Sequence, residues 1–256
     1  MTTVQDILDF LETLAPTQLK MNWDNVGLLC GSKEKPVEKV LVALDPFPGV
    51  CREAAAWGAD LLLTHHPLIF QPVATVTDQT VTGQALLTLI GNGIAAVNAH
   101  TNLDCADGGV NDTMAQVLGL KNVQKVPGDP DQLLRMGDVE TQDLSAFLSR
   151  VKDRFGCDGL RYVACGKPVC RVAVGGGSCG SEWETVLRAG CDTFVTADVK
   201  YNQFCDSKEM GLNLIDAGHF CTENPVIPVL AAKLQAQFAN LQVKISETHG
   251  DCIKYY

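Results

Sequence analysis

The sequence predicts an α/β fold of two similar α/β lobes with mostly parallel, covered sheets and a metal site in the cleft between them. Three observations predict it. Apolar runs at residues 40–44, 61–63 and 94–97 show no polar alternation, as strands buried on both faces do. These runs alternate with segments of helical period, the pattern of βαβ units. One unit also recurs: VLVALDP, a helix and WGADLLLTHH are echoed by VAVGGGS, a helix and AGCDTFVTAD. Strand, helix, Gly-x-Asp and a strand ending in Thr return in the same order, which points to duplicated lobes.

Taken in order, residues 4–14 read as an amphipathic helix, followed by a loop containing Trp23, Asp24 and Asn25. Residues 40–44 form a strand, 49–57 a helix and 60–64 the next strand, joined by a right-handed connection. A helix at 84–90, a strand at 94–99 and a helix at 110–118 continue the alternation. Residues 125–131 hold two prolines and a glycine and mark the lobe boundary. The first lobe therefore takes residues 1–126 and 219–256 and carries most of the candidate ligands, while the second takes 127–218. Within the second, a helix at 144–154 lies between strands around Leu134 and Tyr162, and a further alternating block starts at Val172.

The chain has five histidines, and four of them fall in or beside three clusters: His65 and His66 in LLLTHHP, Asp104 in AHTNLD, and His219 with Glu223 in DAGHFCTE. Each cluster follows a buried strand. That places all three on the carboxyl edge of one sheet, where open α/β sheets hold their ligands. One His-His pair is commonly no more than a polar strand end; three clusters at equivalent strand ends point to metal. Pro67 ends the regular strand, so the two imidazoles can splay toward two ions. Thr222 is the expected N-cap of the following helix, with Glu223 in its first turn and Pro225 tolerated there. A carboxylate has two oxygens to share between two cations, so Glu223 is the candidate bridge, and His65, His66, Asp104 and His219 complete each side. His100 is expected to orient Asp104 or a metal-bound water, a hydrogen-bonded structural histidine being the alternative, and it or a ligand carboxylate is the candidate for proton transfer. His249 reads as a surface or strand-end residue. Two divalent ions per chain are implied, and imidazole with carboxylate suits zinc, iron, manganese or nickel alike.

Beyond these clusters, Gly175, Gly176 and Gly177 read as a tight turn rather than a phosphate cradle, since the full fingerprint of either phosphate loop is missing. Lys200 reads as solvated and Tyr201 as packed. Eleven cysteines without a Cys-x-x-Cys pair read as small buried residues of a reducing compartment, Cys221 being the one placed beside candidate ligands.

NWDNVGLLCG, LLLTHHPLIF, NAHTNLD, TADVKY and IDAGHFCTE occur in this order across nearly the whole chain. Together they resemble the dinuclear-metal family related to the NGG-interacting factor three, often labelled GTP cyclohydrolase 1 type 2 homologues. The resemblance implies His65, His66, Asp104, His219 and Glu223 as ligands, with Glu223 bridging. It also implies a pair of α/β lobes assembled as a toroidal homohexamer. At Asn202 the sequence departs from the family's frequent His, so no ligand role is carried there.

The net charge of −10 lacks the basic footprint that nucleic acid or an anionic membrane requires, yet leaves room for a small anionic substrate, a nucleotide included. No apolar run approaches a membrane span and residues 1–20 lack a signal pattern, which predicts a cytoplasmic protein. The ligand set by itself supports metal-assisted hydrolysis. The resemblance narrows that to opening of a guanine imidazole ring by a metal-bridging water. A metal-dependent phosphoesterase would use the same donors, and a non-catalytic metal-binding assembly protein would show saturated ions and a protein partner instead.

Overall fold

The structure, a computed structural model, describes residues 1–256. It has the expected class, a mixed α/β fold with two sheets whose central strands run parallel. The chain divides into two compact lobes: Met1–Ala106 with Ile227–Gly250, and Asp107–Val226 with Asp251–Tyr256. No helix is long and apolar enough to cross a membrane.

In the first lobe, α1 (Val4–Leu14) starts at Thr3, whose hydroxyl accepts from the Asp6 backbone N–H while the Asp6 carboxylate accepts from the Thr3 N–H. Val4, Ile7 and Leu11 form its buried stripe. Then follow β1 (Gly27–Cys30), β2 (Lys39–Ala43), α2 (Pro48–Trp57), β3 (Leu61–Thr64), α3 (Val81–Gly91), β4 (Ala95–Asn98) and the short α4 (Thr101–Cys105). β2, β3 and β4 pair in parallel, with Ala43 opposite Thr64 and Thr64 opposite Asn98. Because the strand ends are level, the residues after β3 and β4 leave the sheet side by side. β1 closes one edge antiparallel to β4. α2 carries proline in its first turn and stops at Gly58, whose left-handed φ of 71° suits glycine. Val50 and Ala54 of α2 and Leu86 and Leu89 of α3 pack on Leu41, Leu62 and Ala96 of the sheet.

The second lobe begins with α5 (Val110–Leu118), β5 (Lys121–Lys125), β6 (Arg135–Gln142), α6 (Leu144–Phe155) and β7 (Arg161–Val163). It continues with β8 (Val169–Val174), α7 (Trp183–Arg188), β9 (Thr193–Thr196), α8 (Tyr201–Glu209), β10 (Asn213–Asp216) and α9 (His219–Glu223). The sheet order is β5-β6-β8-β9-β10-β7, with β8, β9 and β10 parallel. Neighbouring strand residues serve opposite faces. Phe194 and Leu214 join Trp183 and Val186 in one core cluster, while Val195 and Ile215 join Met114, Phe147 and Val151 in another. Burial on both faces is why these strands read as unbroken apolar runs.

The chain then returns through α10 (Val226–Gln237) and β11 (Gln242–Ile245). β11 pairs in parallel with β2 and completes the first-lobe sheet in the order β1-β4-β3-β2-β11.

Three expectations are corrected. The boundary lies after Ala106, upstream of 125–131, because β5 pairs with β6 and α5 shares the core of α6. Asp112 of α5 also accepts at 2.8 Å from Arg135 of β6, whose side chain is 2% exposed. The return begins at Ile227 rather than 219, so α9 with His219 and Glu223 belongs to the second lobe. The three clusters therefore do not share one sheet edge: β3 and β4 lie in the five-stranded sheet and β10 in the six-stranded one.

Candidate metal centre

The level ends of β3 and β4 set up the donor group of the first lobe. His65 follows β3 directly and is fully buried. Its Nδ1 lies 2.9 Å from the Ala99 carbonyl oxygen. A carbonyl only accepts, so Nδ1 carries the proton and Nε2 keeps a lone pair. That Nε2 is 3.5 Å from Oδ1 of Asp104, in the first turn of α4. His66 donates from Nδ1 to Oδ1 of Asp45 at 2.6 Å. His100 donates from Nδ1 to Oδ1 of Asp24 at 2.8 Å, and the other oxygen of Asp24 accepts from the backbone and hydroxyl of Thr101. The three ring centroids form a triangle with sides of 4.9, 5.2 and 5.5 Å. A nitrogen from each falls within 4.8 Å of the others.

This arrangement fits a divalent ion on the chemistry of its donors. Every imidazole meets an oxygen acceptor at Nδ1, the usual support of metal-binding histidines, and His65 Nε2 lies near the Asp104 carboxylate. The supporting carboxylates stay charged. Burial by itself would raise Asp45, but hydrogen bonds from His249 and His66 outweigh it and hold the carboxyl well below the usual range. Asp24 follows the same balance, with His100 and Thr101 as the donors.

The second lobe contributes another donor pair. Gly218, at φ 85° and ψ 141°, turns the chain out of β10 and serves as N-cap of α9. The expected cap, Thr222, lies inside the helix, where its hydroxyl bonds the carbonyls of Gly218 and His219. The helix therefore starts earlier, and His219 and Glu223 sit one turn apart with Nε2 3.0 Å from Oε2. On its other side, His219 Nδ1 meets Oδ2 of Asp198 at 2.7 Å, and Ser178 donates to the same oxygen at 2.5 Å. Burial opposes charge on His219, but hydrogen bonds to Asp198 and Glu223 prevail and push its pKa up to about 11. Two carboxylates flanking one imidazole make a place that favours positive charge.

Glu223 is 4% exposed and lies against a glycine turn. A Cβ on Gly177, where φ is +60°, would come within 2.1 Å of Glu223 Oε1, and one on Gly176 within 3.2 Å of its Cγ. The Gly176 amide donates to Asn111 Oδ1 and the Gly177 amide to the Thr222 hydroxyl. These amides serve internal bonds, so the turn is structural, as its sequence suggests.

His65, His66, His100 and Asp104 thus come together in the first lobe, and His219 with Glu223 in the second. The partner that the structure gives His100 is Asp24. Lys200 is exposed, and Tyr201, expected to pack, is 84% exposed at the start of α8. Cys221 is 6% exposed within the second-lobe core. Sequence reasoning passed over Asp24, Asp45 and Asp198 as supports of the histidines, although all three stand within the motifs quoted above. The repeat already placed Asp198 at the position equivalent to His66. His249 is not a surface residue: its ring is 9% exposed and bonds Asp45 at 2.8 Å.

Comparison with known proteins gives this geometry a context. A family model described as Duf34/NIF3 (NGG1p interacting factor 3) matches residues 2–251. A GTP cyclohydrolase 1 type 2 homolog of Clostridium perfringens is 36% identical over 238 residues, covering 91% of each chain. A Bacillus cereus protein related to NIF3 superposes with a TM-score of 0.94 at 25% identity, covering 100% of this chain and 99% of the other. A hypothetical protein of Staphylococcus aureus, SA1388, gives 0.90 at 27% identity over 99% of each.

Proposed function

The chain belongs to the Duf34/NIF3 family, and on that footing we propose that it is a divalent-metal hydrolase of the GTP cyclohydrolase 1 type 2 kind. His65, His66, Asp104, His219 and Glu223 would together hold two divalent ions, with Glu223 shared. The observation that carries this reading is the set of three clustered imidazoles, each anchored at Nδ1 by a carbonyl or carboxylate. Bound ions of this kind acidify water and stabilise charge that develops on an attacked centre.

The chain's own side chains supply the rest. His100, held by Asp24 and 15% exposed, is the group for proton transfer: it lies beside the donors without being one of the five. Next to it stand Trp23 and Phe70, which are 63% and 47% exposed. Their rings are 5.8 Å apart, with Trp23 6.3 Å and Phe70 6.4 Å from His100. Exposed aromatics at the edge of a polar site suit a planar heterocycle, which favours hydrolytic opening of a guanine imidazole ring over attack on a phosphoryl group. On the same family resemblance we propose a homo-oligomer, a toroidal hexamer, which light scattering tests as a mass six times that of the chain.

Metal analysis of the purified protein, paired with GTP turnover before and after chelation, tests the reading. About two ions per chain and a chelator-sensitive, ring-opened product are expected. Release of phosphate without ring opening would move the chemistry to phosphoester hydrolysis. Two ions with no turnover would favour a metal-binding assembly role, and absence of metal would overturn the centre itself.

A further inference from the structure

We propose that His249, acting through Asp45, is the positioning residue that sets His66 for metal binding. This rests on the metal-centre reading above and assigns a role to a residue outside the five ligands. Asp45 lies just beyond β2 at the carboxyl edge of the first-lobe sheet and uses its two oxygens separately. Oδ1 meets His66 Nδ1 at 2.6 Å and Oδ2 meets His249 Nε2 at 2.8 Å. A carboxylate only accepts, so both rings present an N–H to it. The proton of His66 is thereby fixed on Nδ1 and the lone pair on Nε2. With one partner the carboxylate plane would be free to turn; with two it is set, and with it the orientation of His66.

His249 is itself held in place. It lies 204 residues from Asp45 in sequence, and the segment that carries it is organised by one carboxylate of α2. Glu53 accepts from the Ser246 hydroxyl at 2.5 Å, the Glu247 amide at 3.0 Å, the Thr248 amide at 3.2 Å and the Thr248 hydroxyl at 2.7 Å. The Ser246 hydroxyl oxygen in turn accepts from the His249 amide at 3.2 Å, and the Ser246 amide extends the β11–β2 ladder to Val42 at 2.9 Å. The ring of Phe47 covers His249 edge-on at 6.1 Å. Linked hydrogen bonds therefore run from helix α2 through the C-terminal segment to Nδ1 of His66. His65 Nδ1 meets the Ala99 carbonyl and His100 Nδ1 meets Asp24, whereas the carboxylate that supports His66 is itself buttressed by another histidine.

The test is titration of chelator-stripped protein with cobalt(II) alone, against a competing chromophoric chelator, for the wild type and for His249→Phe, His249→Gln and Asp45→Asn. Losing such a support weakens metal binding by about 10- to 100-fold. That loss is expected for His249→Phe, with Asp45→Asn giving the same loss one link nearer the ligand should the phenylalanine variant fail to fold. His249→Gln keeps an N–H for Asp45 and should recover most of the affinity. Melting of the metal-free proteins is the control. Unchanged cobalt affinity in His249→Phe overturns the proposal. So does a glutamine variant as weak as the phenylalanine one with an equal fall in metal-free melting, because the role would then be packing. If the wild type takes up no cobalt, the metal-centre reading falls and the proposal falls with it.

Discussion

Gly177 decides where the Glu223 carboxylate can be. Alanine there must adopt φ +60°, which costs about 1–2 kcal/mol, and must displace Oε1 from 2.1 Å. Gly177→Ala is therefore expected to melt lower and to bind divalent metal more weakly, both readable in one melting series with and without metal. An unchanged metal response would show that Glu223 moves without consequence. The same scale shows what the sequence discloses. His65, His66, Asp104, His219 and Glu223 stand out because a chain with five histidines has no reason to gather them after strands. Asp24, Asp45 and His249 do not stand out. An aspartate after a strand or in a loop has the same local chemistry whether it caps a turn or holds an imidazole, and only the tertiary contact tells the two apart.

At the scale of elements, Glu53 ties α2 to the segment after β11, and its charge makes that tie depend on pH. Burial would raise its pKa, but hydrogen bonds from Glu247, Ser246 and Thr248 lower it from 4.5 to about 2. A depressed carboxyl contributes stability that is complete above the unfolded value and disappears as pH falls through the folded one. The contribution should therefore fade between about pH 4.5 and 2, and amount to roughly 1–3 kcal/mol at neutral pH. Glu53→Gln should flatten this part of the acid unfolding curve; a curve parallel to wild type would remove the role.

A second inter-element tie joins α5 to β6. Asp112→Ala deprives the buried Arg135 guanidinium of its 2.8 Å partner and should cost about 3 kcal/mol in urea unfolding. A loss under 1 kcal/mol would mean that the remaining acceptors suffice. Elements were legible where their pattern was strong: residues 4–14 and 110–118 fall on α1 and α5 as observed. α9 was misread because its start is set by a glycine at positive φ, while Thr222 and Pro225 offered a convincing cap a few residues later.

For the whole molecule, ions that bind the folded chain and not the unfolded one raise its stability by about 2.7 kcal/mol at a hundred times Kd. Melting temperature should accordingly climb with divalent metal and fall on chelation, in scanning calorimetry at fixed protein concentration. Indifference to both would contradict the proposed centre. The class and the paired lobes were readable in the alternating runs. The lobe boundary was not, since it depends on which neighbours β5 and α5 choose, and the proline-rich loop at 125–131 proved to be a connection inside one lobe. The first lobe is discontinuous, leaving at Ala106 and resuming at Ile227. On the ribosome this has a consequence. β2 waits for β11 until about two hundred further residues have been made, while β8, β9 and β10 emerge close together and can pair at once. Vectorial synthesis therefore lets the second-lobe sheet assemble before the first-lobe sheet is complete. The older half of the nascent chain keeps an open strand edge for a chaperone to shield until its last strand arrives.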